Sequence, residues 1–328
     1  MNKKIVIVVV VIVLLVGVFF LYNSLNKTED SQGMLVPGEN SEENIVESNN
    51  PSGQVAEALA FSWEKDSNQR IVDGSVPFIH ALKDGKVRLY YCKNGAILSA
   101  ISSDGLTFTK EQGIRISPGT GFETQVCDPT IVDLPDGKIR MYYKGADSQN
   151  AGPGQSIHKI YSAISSDGLN FQKEGLRIDS ETNGDNGWAS VPDAIILPDG
   201  RVRIYYVTAS NMEHGIGSAI SSDGLSFAKE EGLRVPNLVD PALIKIDGKY
   251  ILFAASIDER FAALPKGIYY LESSDGLKFG EATAVIQEEN VYDPSVLKVD
   301  EKTIRVFYGK VMPPQLPAVE SHTGRIVK

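Results

Sequence analysis

The chain has 328 residues, with 42 acidic against 32 basic side chains and a formal net charge of −10. That balance excludes a nucleic-acid partner, since phosphate neutralisation needs a basic face, and no polybasic lipid-binding patch is present. The only cysteines are Cys92 and Cys127, and without a CxxC pair or a His/Cys cluster neither a zinc site nor a dithiol redox role is implied.

The first element is the run Ile5 to Leu21, apolar except for Gly17 and about long enough to cross a bilayer as a helix. Lys3 and Lys4 precede it, while Lys27, Glu29 and Asp30 follow, so the positive-inside rule leaves everything after Tyr22 on the extracytoplasmic side. The expectation is a single-pass anchor over residues 1–22 in the cell membrane. The alternative, a cleaved signal peptide and a secreted protein, needs small residues at the cleavage site, and Phe20-Leu21-Tyr22-Asn23 supplies a poor one. Residues 23–60 are rich in Ser, Asn, Glu and Gly and read as a flexible acidic tether. Residues 61–328 suit one large all-β domain.

Within that domain Ser-Ser-Asp-Gly-Leu-x-Phe occurs four times, at Ser102–Phe108, Ser165–Phe171, Ser221–Phe227 and Ser273–Phe279. Upstream of each copy lies a Pro that opens an apolar run, an Asp-Gly turn and a Tyr- or Phe-bearing strand. The units open at Val76-Pro77, Asp128-Pro129, Val191-Pro192, Asp240-Pro241 and Asp293-Pro294. Their spacings of roughly 52, 63, 49 and 53 residues match one four-stranded propeller blade each. In the second unit the strands fall at about Thr130–Asp133, Lys138–Tyr143, Lys159–Ser165 and Phe171–Arg177. The Asp-Gly turns suit tight hairpins, and the Leu and Phe of the repeat are expected to pack inward. The fifth unit has no Ser-Ser-Asp-Gly copy. Phe61–Asp66 leading to Arg70-Ile71 resembles Phe227–Gly232 leading to Arg234-Val235, so the N-terminal strand completes the last blade and removes an open sheet edge. The fold class is a five-bladed β-propeller of four-stranded antiparallel blades.

In this register one face carries only tight turns. The other carries the longer segments Gly145–Ile157, Ala209–Gly217, Ser256–Lys266 and Gly309–Thr323, together with the links Ser117–Cys127 and Asp179–Ser190, and is the expected functional mouth. Cys92 and Cys127 fall on this face, either as a disulfide joining blades one and two or as two free thiols. Asp128, Asp240 and Asp293 precede the blade-opening Pro, and Asp193 follows one. Carboxylates around a narrow axis separate in pKa, as acid/base work on a glycosidic bond requires, although an Asp-Pro pair also serves as a strand-entry turn. Asp128 is the leading candidate. Trp188, Phe122 and Tyr292 precede inner strands and offer rings for sugar stacking or for packing under loops. His158, His214 and His322 fall in second-to-third connections, with Glu213, Glu123, Glu181 and Glu259 as loop acids. The recurring Arg115, Arg177 and Arg234 suit a structural role. No metal site is seen and no cofactor is required, with an axial calcium or other cation left open.

The pattern resembles the five-bladed propeller glycoside hydrolases, namely the arabinanase and xylosidase group of family 43 and its invertase and levansucrase relatives. The residues that carry the resemblance are Asp128-Pro129-Thr130-Ile131, Asp136-Gly137, Met141-Tyr142-Tyr143 and the repeated Ser-x-Asp-Gly-x-x-Phe. It implies a first-blade Asp as base, a second-blade Asp that tunes pKa and orients substrate, and a third-blade Glu as acid. Asp128 matches the second position, but Val76 stands at the first and Ser190 at the third. A sialidase-like reading is weaker, since its box has a residue between Asp and Gly and its arginine triad is missing here. The expectation is a monomeric, membrane-anchored glycosidase acting on polysaccharide or glycoconjugate. The alternatives are a non-catalytic propeller that binds glycan or protein, and a purely structural domain.

Overall fold

The computed structural model describes residues 58–147, 156–210, 213–257, 264–311 and 313–327. The apolar run Ile5–Leu21 and the acidic tether lie outside the described residues, and among the described residues no helix is long and apolar enough to cross a membrane.

Two strands, β1 (Phe61–Lys65) and β2 (Ile71–Val72), precede the first blade. Blade one is β3 (Ser75–Ala81), β4 (Val87–Lys93), β5 (Ala96–Ser102) and β6 (Thr109–Lys110). Blade two is β7 (Gln125–Asp133), β8 (Ile139–Ala146), β9 (His158–Ser165) and β10 (Gln172–Ile178). Blade three is β11 (Ala189–Ile196), β12 (Val202–Ser210), β13 (Glu213–Ser221) and β14 (Ala228–Pro236). Blade four is β15 (Val239–Ile246), β16 (Lys249–Ser256), β17 (Gly267–Ser273) and β18 (Thr283–Ile286). Blade five is β19 (Val291–Lys298), β20 (Thr303–Lys310) and β21 (Ala318–Ile326), and its outer position is filled by β1, which pairs Phe61 with Ile326 and Lys65 with His322. The ring therefore closes through the N-terminal strand. β1 runs from the tight-turn face toward the mouth.

The repeated motif works between blades. In each copy the first Ser and the Asp build the turn: Ser102 Oγ accepts from Gly105 N at 2.9 Å, and Asp104 Oδ1 accepts from Leu106 N at 2.8 Å and Thr107 N at 2.7 Å. These backbone N–H groups hold the Asp104 carboxyl well below its ordinary range. The preceding blade then grips the turn. Tyr90, Tyr142 and Tyr205 donate to the carbonyls of Gly168, Gly224 and Gly276 at 2.9, 2.8 and 2.7 Å. Arg88, Arg140 and Arg305 reach the carbonyls of Asp167, Asp223 and Gly105, and each also holds an acid on an outer strand segment of its own blade: Glu111, Glu174 and Asp66. A side chain on Gly168 would lie 2.4 Å from Arg88 Nη1, and its φ of 71° is also left-handed, so only glycine fits.

The motif phenylalanine packs inward, and it does so against the neighbouring blade. It meets the second-strand ring of the preceding blade edge-on: Tyr90–Phe171, Tyr142–Phe227, Tyr205–Phe279 and Phe307–Phe108, with centroids 5.6–6.3 Å apart. Blade four faces a blade without the turn, and it carries Ile251 and Phe253 where the others carry Arg and Tyr or Phe. There the edge-on partner is Trp63, 6.1 Å from Phe253, while Phe61 packs on Tyr270.

Trp63 also covers Gly324, where an added Cβ would lie 2.4 Å from the indole. Trp63→Ala should lower unfolding free energy by about 3 kcal/mol, read as a shift in urea midpoint. An unchanged midpoint would mean that β1 is not what closes the ring.

Candidate functional site

All five inner strands bulge where they enter the channel mouth, as the register slips between Cys127 and Thr130 and at the equivalent points of the other blades show. Strand β7 therefore begins at Gln125, earlier than Thr130, because the ladder resumes ahead of the bulge. The residue before each Pro is left-handed: Val76, Asp128, Val191, Asp240 and Asp293, with φ between 46° and 57°. Aspartate tolerates this region, but for the β-branched Val76 and Val191 it is a strained conformation. Proline next in line suits a bulge, since it has no N–H to leave unpaired.

Side chains at the bulges tie neighbouring blades. Asp128 Oδ2 accepts from Val191 N at 3.2 Å, and Asp240 Oδ2 accepts from Asp293 N at 3.2 Å. Two residues further on, Thr130 accepts from Ala194 N, Asp193 from Leu243 N and Ser295 from Ile79 N, at 3.1, 2.6 and 2.9 Å. Blade one has Val76 and Phe78 at these positions, neither of which carries a side-chain acceptor. Here Cys92 and Cys127 form a disulfide, with Asp128 N donating to Cys92 Sγ at 3.3 Å. Its sequence separation is 35, a loop whose closure is worth about 3–4 kcal/mol in the chain-entropy account. Among the described residues the one close grouping of metal-type donors is Cys92, Cys127 and Asp128, and its two sulfurs are bonded to each other.

The structure thus brings Asp128, Asp193, Asp240 and Asp293 to the channel mouth, each in a different role. Asp128 is buried and pairs with Lys144 Nζ at 2.8 Å. Burial opposes the lysine's charge, but Asp128, with Asp293 and Asp240 beyond it, holds the ammonium above its ordinary range. Lys144 was not anticipated. The signal was present: the equivalent positions hold Cys92, Val207, Ala255 and Gly309, so a lysine there is the exception. Asp193 is buried, and desolvation lifts it to about 7 despite its bonds to Leu243 N and Thr130. Burial also raises Asp240 and Asp293; the nearby Asp128 adds to the rise of both, and Asp240 to that of Asp293. Asp293 is half-buried, and among the described residues its carboxylate takes no hydrogen bond.

His158 lies beside this group. Its Nδ1 is 3.2 Å from Ser190 Oγ, which is 3.4 Å from Asp128 Oδ2, and its ring stacks on Trp188 with centroids 4.1 Å apart. Burial and the Lys144 ammonium push it down to about 4, so it is neutral at pH 7. Trp188 is half-buried over a small cluster of Val207, Val239 and Ala255. Tyr292 adjoins Asp293, with its hydroxyl on Asn290 Oδ1 at 3.2 Å. Phe122 packs into the core between blades one and two under Lys159, whose Nζ is 4.3 Å from the ring centroid, and stands apart from the carboxylates. His214 and His322 are not in loops: β12–β13 and β20–β21 extend further than expected and place both within strands, paired with Ala209 and Val306. The side chains of Glu213 and Glu259 lie outside the described residues. Glu123 and Glu181 are ion-paired, to Lys173 and Lys159. The recurring Arg177 is bound to the carbonyls of Glu174, Gly175 and Leu225.

The axial cavity between the carboxylates, lined by Asp128, Asp193, Asp293 and the prolines, has a volume of only about 20 Å³, room for roughly one water. No sugar ring fits within it. The tight-turn face has a cavity of about 310 Å³, but its polar groups are committed, Arg88 to Glu111 and His80 to Asp133.

No family model and no curated protein matches the chain. Solved structures do. A thermostable family-43 glycoside hydrolase superposes with a TM-score of 0.61 over 78% of this chain and 91% of its own, at 16% identity. A family 117 glycoside hydrolase produced by the marine bacterium Zobellia galactanivorans gives 0.61 over 81% and 90%, at 17% identity. An alpha-L-arabinofuranosidase from Lactobacillus brevis gives 0.60 over 77% and 92%, at 14% identity. The architecture is that of the five-bladed glycoside hydrolases. At these identities the likeness establishes the fold.

Lys144→Ala would leave Asp128 buried without its counter-ion and should destabilise the protein by about 3–5 kcal/mol, measured by chemical denaturation. A second expectation concerns pH. An aspartate raised in the folded state favours folding at low pH and costs stability as pH climbs past its unfolded value toward its folded one. For Asp193, lifted from 3.8 to about 7, the cost is absent below about pH 4 and complete above about pH 7, on the order of 4 kcal/mol. Asp193→Asn should flatten stability between these limits and gain relative to wild type at pH 8. An unaltered pH profile of denaturation would refute the assignment.

Proposed function

We propose that this chain is a carbohydrate-active propeller of the glycosidase type, with Asp293 as the proton donor and the Lys144-paired Asp128 as the charged carboxylate on the far side of blade one. The carrying observation is Asp293 itself: half-buried at the mouth, without a hydrogen bond among the described residues, and raised by burial and by Asp240. Glycosidic cleavage needs one carboxyl kept protonated near neutral pH beside another kept ionised, and unequal environments provide that division. The fold shared with family-43 and family-117 glycoside hydrolases supports the substrate class. The proposal includes extracytoplasmic placement of the propeller, held at the membrane by the run Ile5–Leu21.

A second reading is favoured by two specific residues. Val76 and Ser190 stand where the resembling families carry catalytic acids, so the same mouth would bind glycan without cleaving it.

Screening for reducing-sugar release from arabinan, xylan and fructan separates the two. The catalytic reading expects turnover that Asp293→Asn lowers by at least about 10³-fold, and that Asp128→Asn also impairs. The alkaline limb of the rate profile should report the raised Asp293 carboxyl. Asp240→Asn removes a repelling charge and should move that limb to lower pH. Binding without turnover supports the second reading, and turnover indifferent to all three substitutions removes the axial carboxylates from the mechanism.

A further inference from the structure

The mouth is not evenly walled. Blade one joins β4 to β5 by the two-residue turn Asn94-Gly95, with Lys93 paired to Ala96 and left-handed φ values of 52° and 72°. The rim is therefore low over this blade. A cleft of about 520 Å³ lies in the notch and spans from Leu316 and Pro317 of blade five, across blade one, to Gln125 and Lys144 of blade two. Its volume is within the roughly 300–1,000 Å³ of small-molecule sites, whereas the axial cavity of about 20 Å³ admits no sugar ring. The notch also lies over the blade whose axial position is the uncharged Val76, between the blades that carry Asp293 and Asp128.

The lining has two characters. Leu316 is 59% exposed and, with Pro317, makes an apolar wall on the blade-five side. Opposite it, Asn94 and Gln125 present amides, and Lys144 brings to the inner end the ammonium that carries Asp128. Saccharide rings have apolar faces and hydroxylated edges, so one apolar and one polar wall suit them, and a cleft open along the notch suits a chain.

We propose that the cleft over blade one is a glycan subsite, which seats a sugar unit beside the axial carboxylates and makes the ligand an oligo- or polysaccharide chain threaded radially across blade one. This rests on the carbohydrate reading above and adds the place and the polymeric nature of the ligand. Asp128 and Asp293 flank the inner end of the path, so a bond between two units would lie where the carboxylates are.

The test is affinity electrophoresis and calorimetry of the full chain with arabinan, xylan and fructan as probes. Gln125→Ala and Leu316→Ala change exposed side chains and should leave the fold intact, which thermal unfolding verifies. Each should weaken binding of the recognised polymer by about five- to tenfold, the equivalent of one lost polar or apolar contact. Lys83→Ala, on the tight-turn face, should leave binding unchanged. Wild-type binding that both cleft variants retain in full overturns the subsite while leaving the carbohydrate reading standing. Absence of wild-type binding to all three polymers overturns the carbohydrate reading and the subsite with it.

Discussion

A propeller blade is a small twisted sheet with two faces to cover, and neither can be covered within the blade. Stability therefore depends on what passes between neighbours. In this chain that is the grip of one blade on the next blade's Ser-Ser-Asp-Gly turn. A buried tyrosine hydroxyl and an arginine meet backbone carbonyls of the turn, and an aromatic ring meets the motif phenylalanine edge-on. The turn presents those carbonyls only because Ser and Asp side chains have already satisfied its N–H groups. Blade four, which has no such turn to hold, has Ile251 in place of the arginine, whereas blade five, which does hold one, keeps Arg305 beside Phe307. The arginine is thus present only where there is a turn to hold.

A second ring of bonds, nearer the axis, works alongside the first, and the candidate chemistry grows out of it. Asp128, Asp193 and Asp240 accept N–H groups of the following blade, so each carries a structural bond where its strand enters the mouth. Asp128 is also the anchor for Lys144, and a structural bond and a functional charge coexist in one side chain. Asp293 differs: its carboxylate takes no hydrogen bond among the described residues, although Ser295 of the same strand accepts from Ile79 N of blade one. The sector without acceptors is the one closed by a disulfide, beneath the low rim. The departure of blade one from the repeat thus coincides with a covalent staple and an open cleft.

Much of the architecture was legible before any coordinates. The repeat set the blade count, and the likeness of Phe61–Asp66 to Phe227–Gly232 located the closing strand, because turn chemistry and strand composition are local properties. The role of the motif phenylalanine was not legible, since a ring packed within its blade and one packed across to the next leave the same periodicity. His214 and His322 were misplaced because β12–β13 and β20–β21 run past the point where β-branched residues thin out, and their ladders continue through Gly, Glu and His. The ranking of the axial acids was hidden too. Asp128, Asp240 and Asp293 occupy the same register position, so the repeat alone does not tell which of them bonds the next blade. Lys144 was discoverable by comparing one column of the repeat.

Closure through β1 has a consequence in time. Strand β1 is made early, yet its partner β21 comprises Ala318–Ile326, so Phe61 waits for Ile326 before either is paired. Until then Phe61 and Trp63 have no blade-five sheet to complete, and blade four's Phe253 and Tyr270 lack the rings that cover them. Contacts so distant in sequence form late, and the intermediate, a ring with a gap, exposes an apolar strand and a bare sheet edge at once, the combination most prone to association with other chains. The step that completes the fifth blade and closes the ring is thus also the step on which its biosynthesis is most exposed.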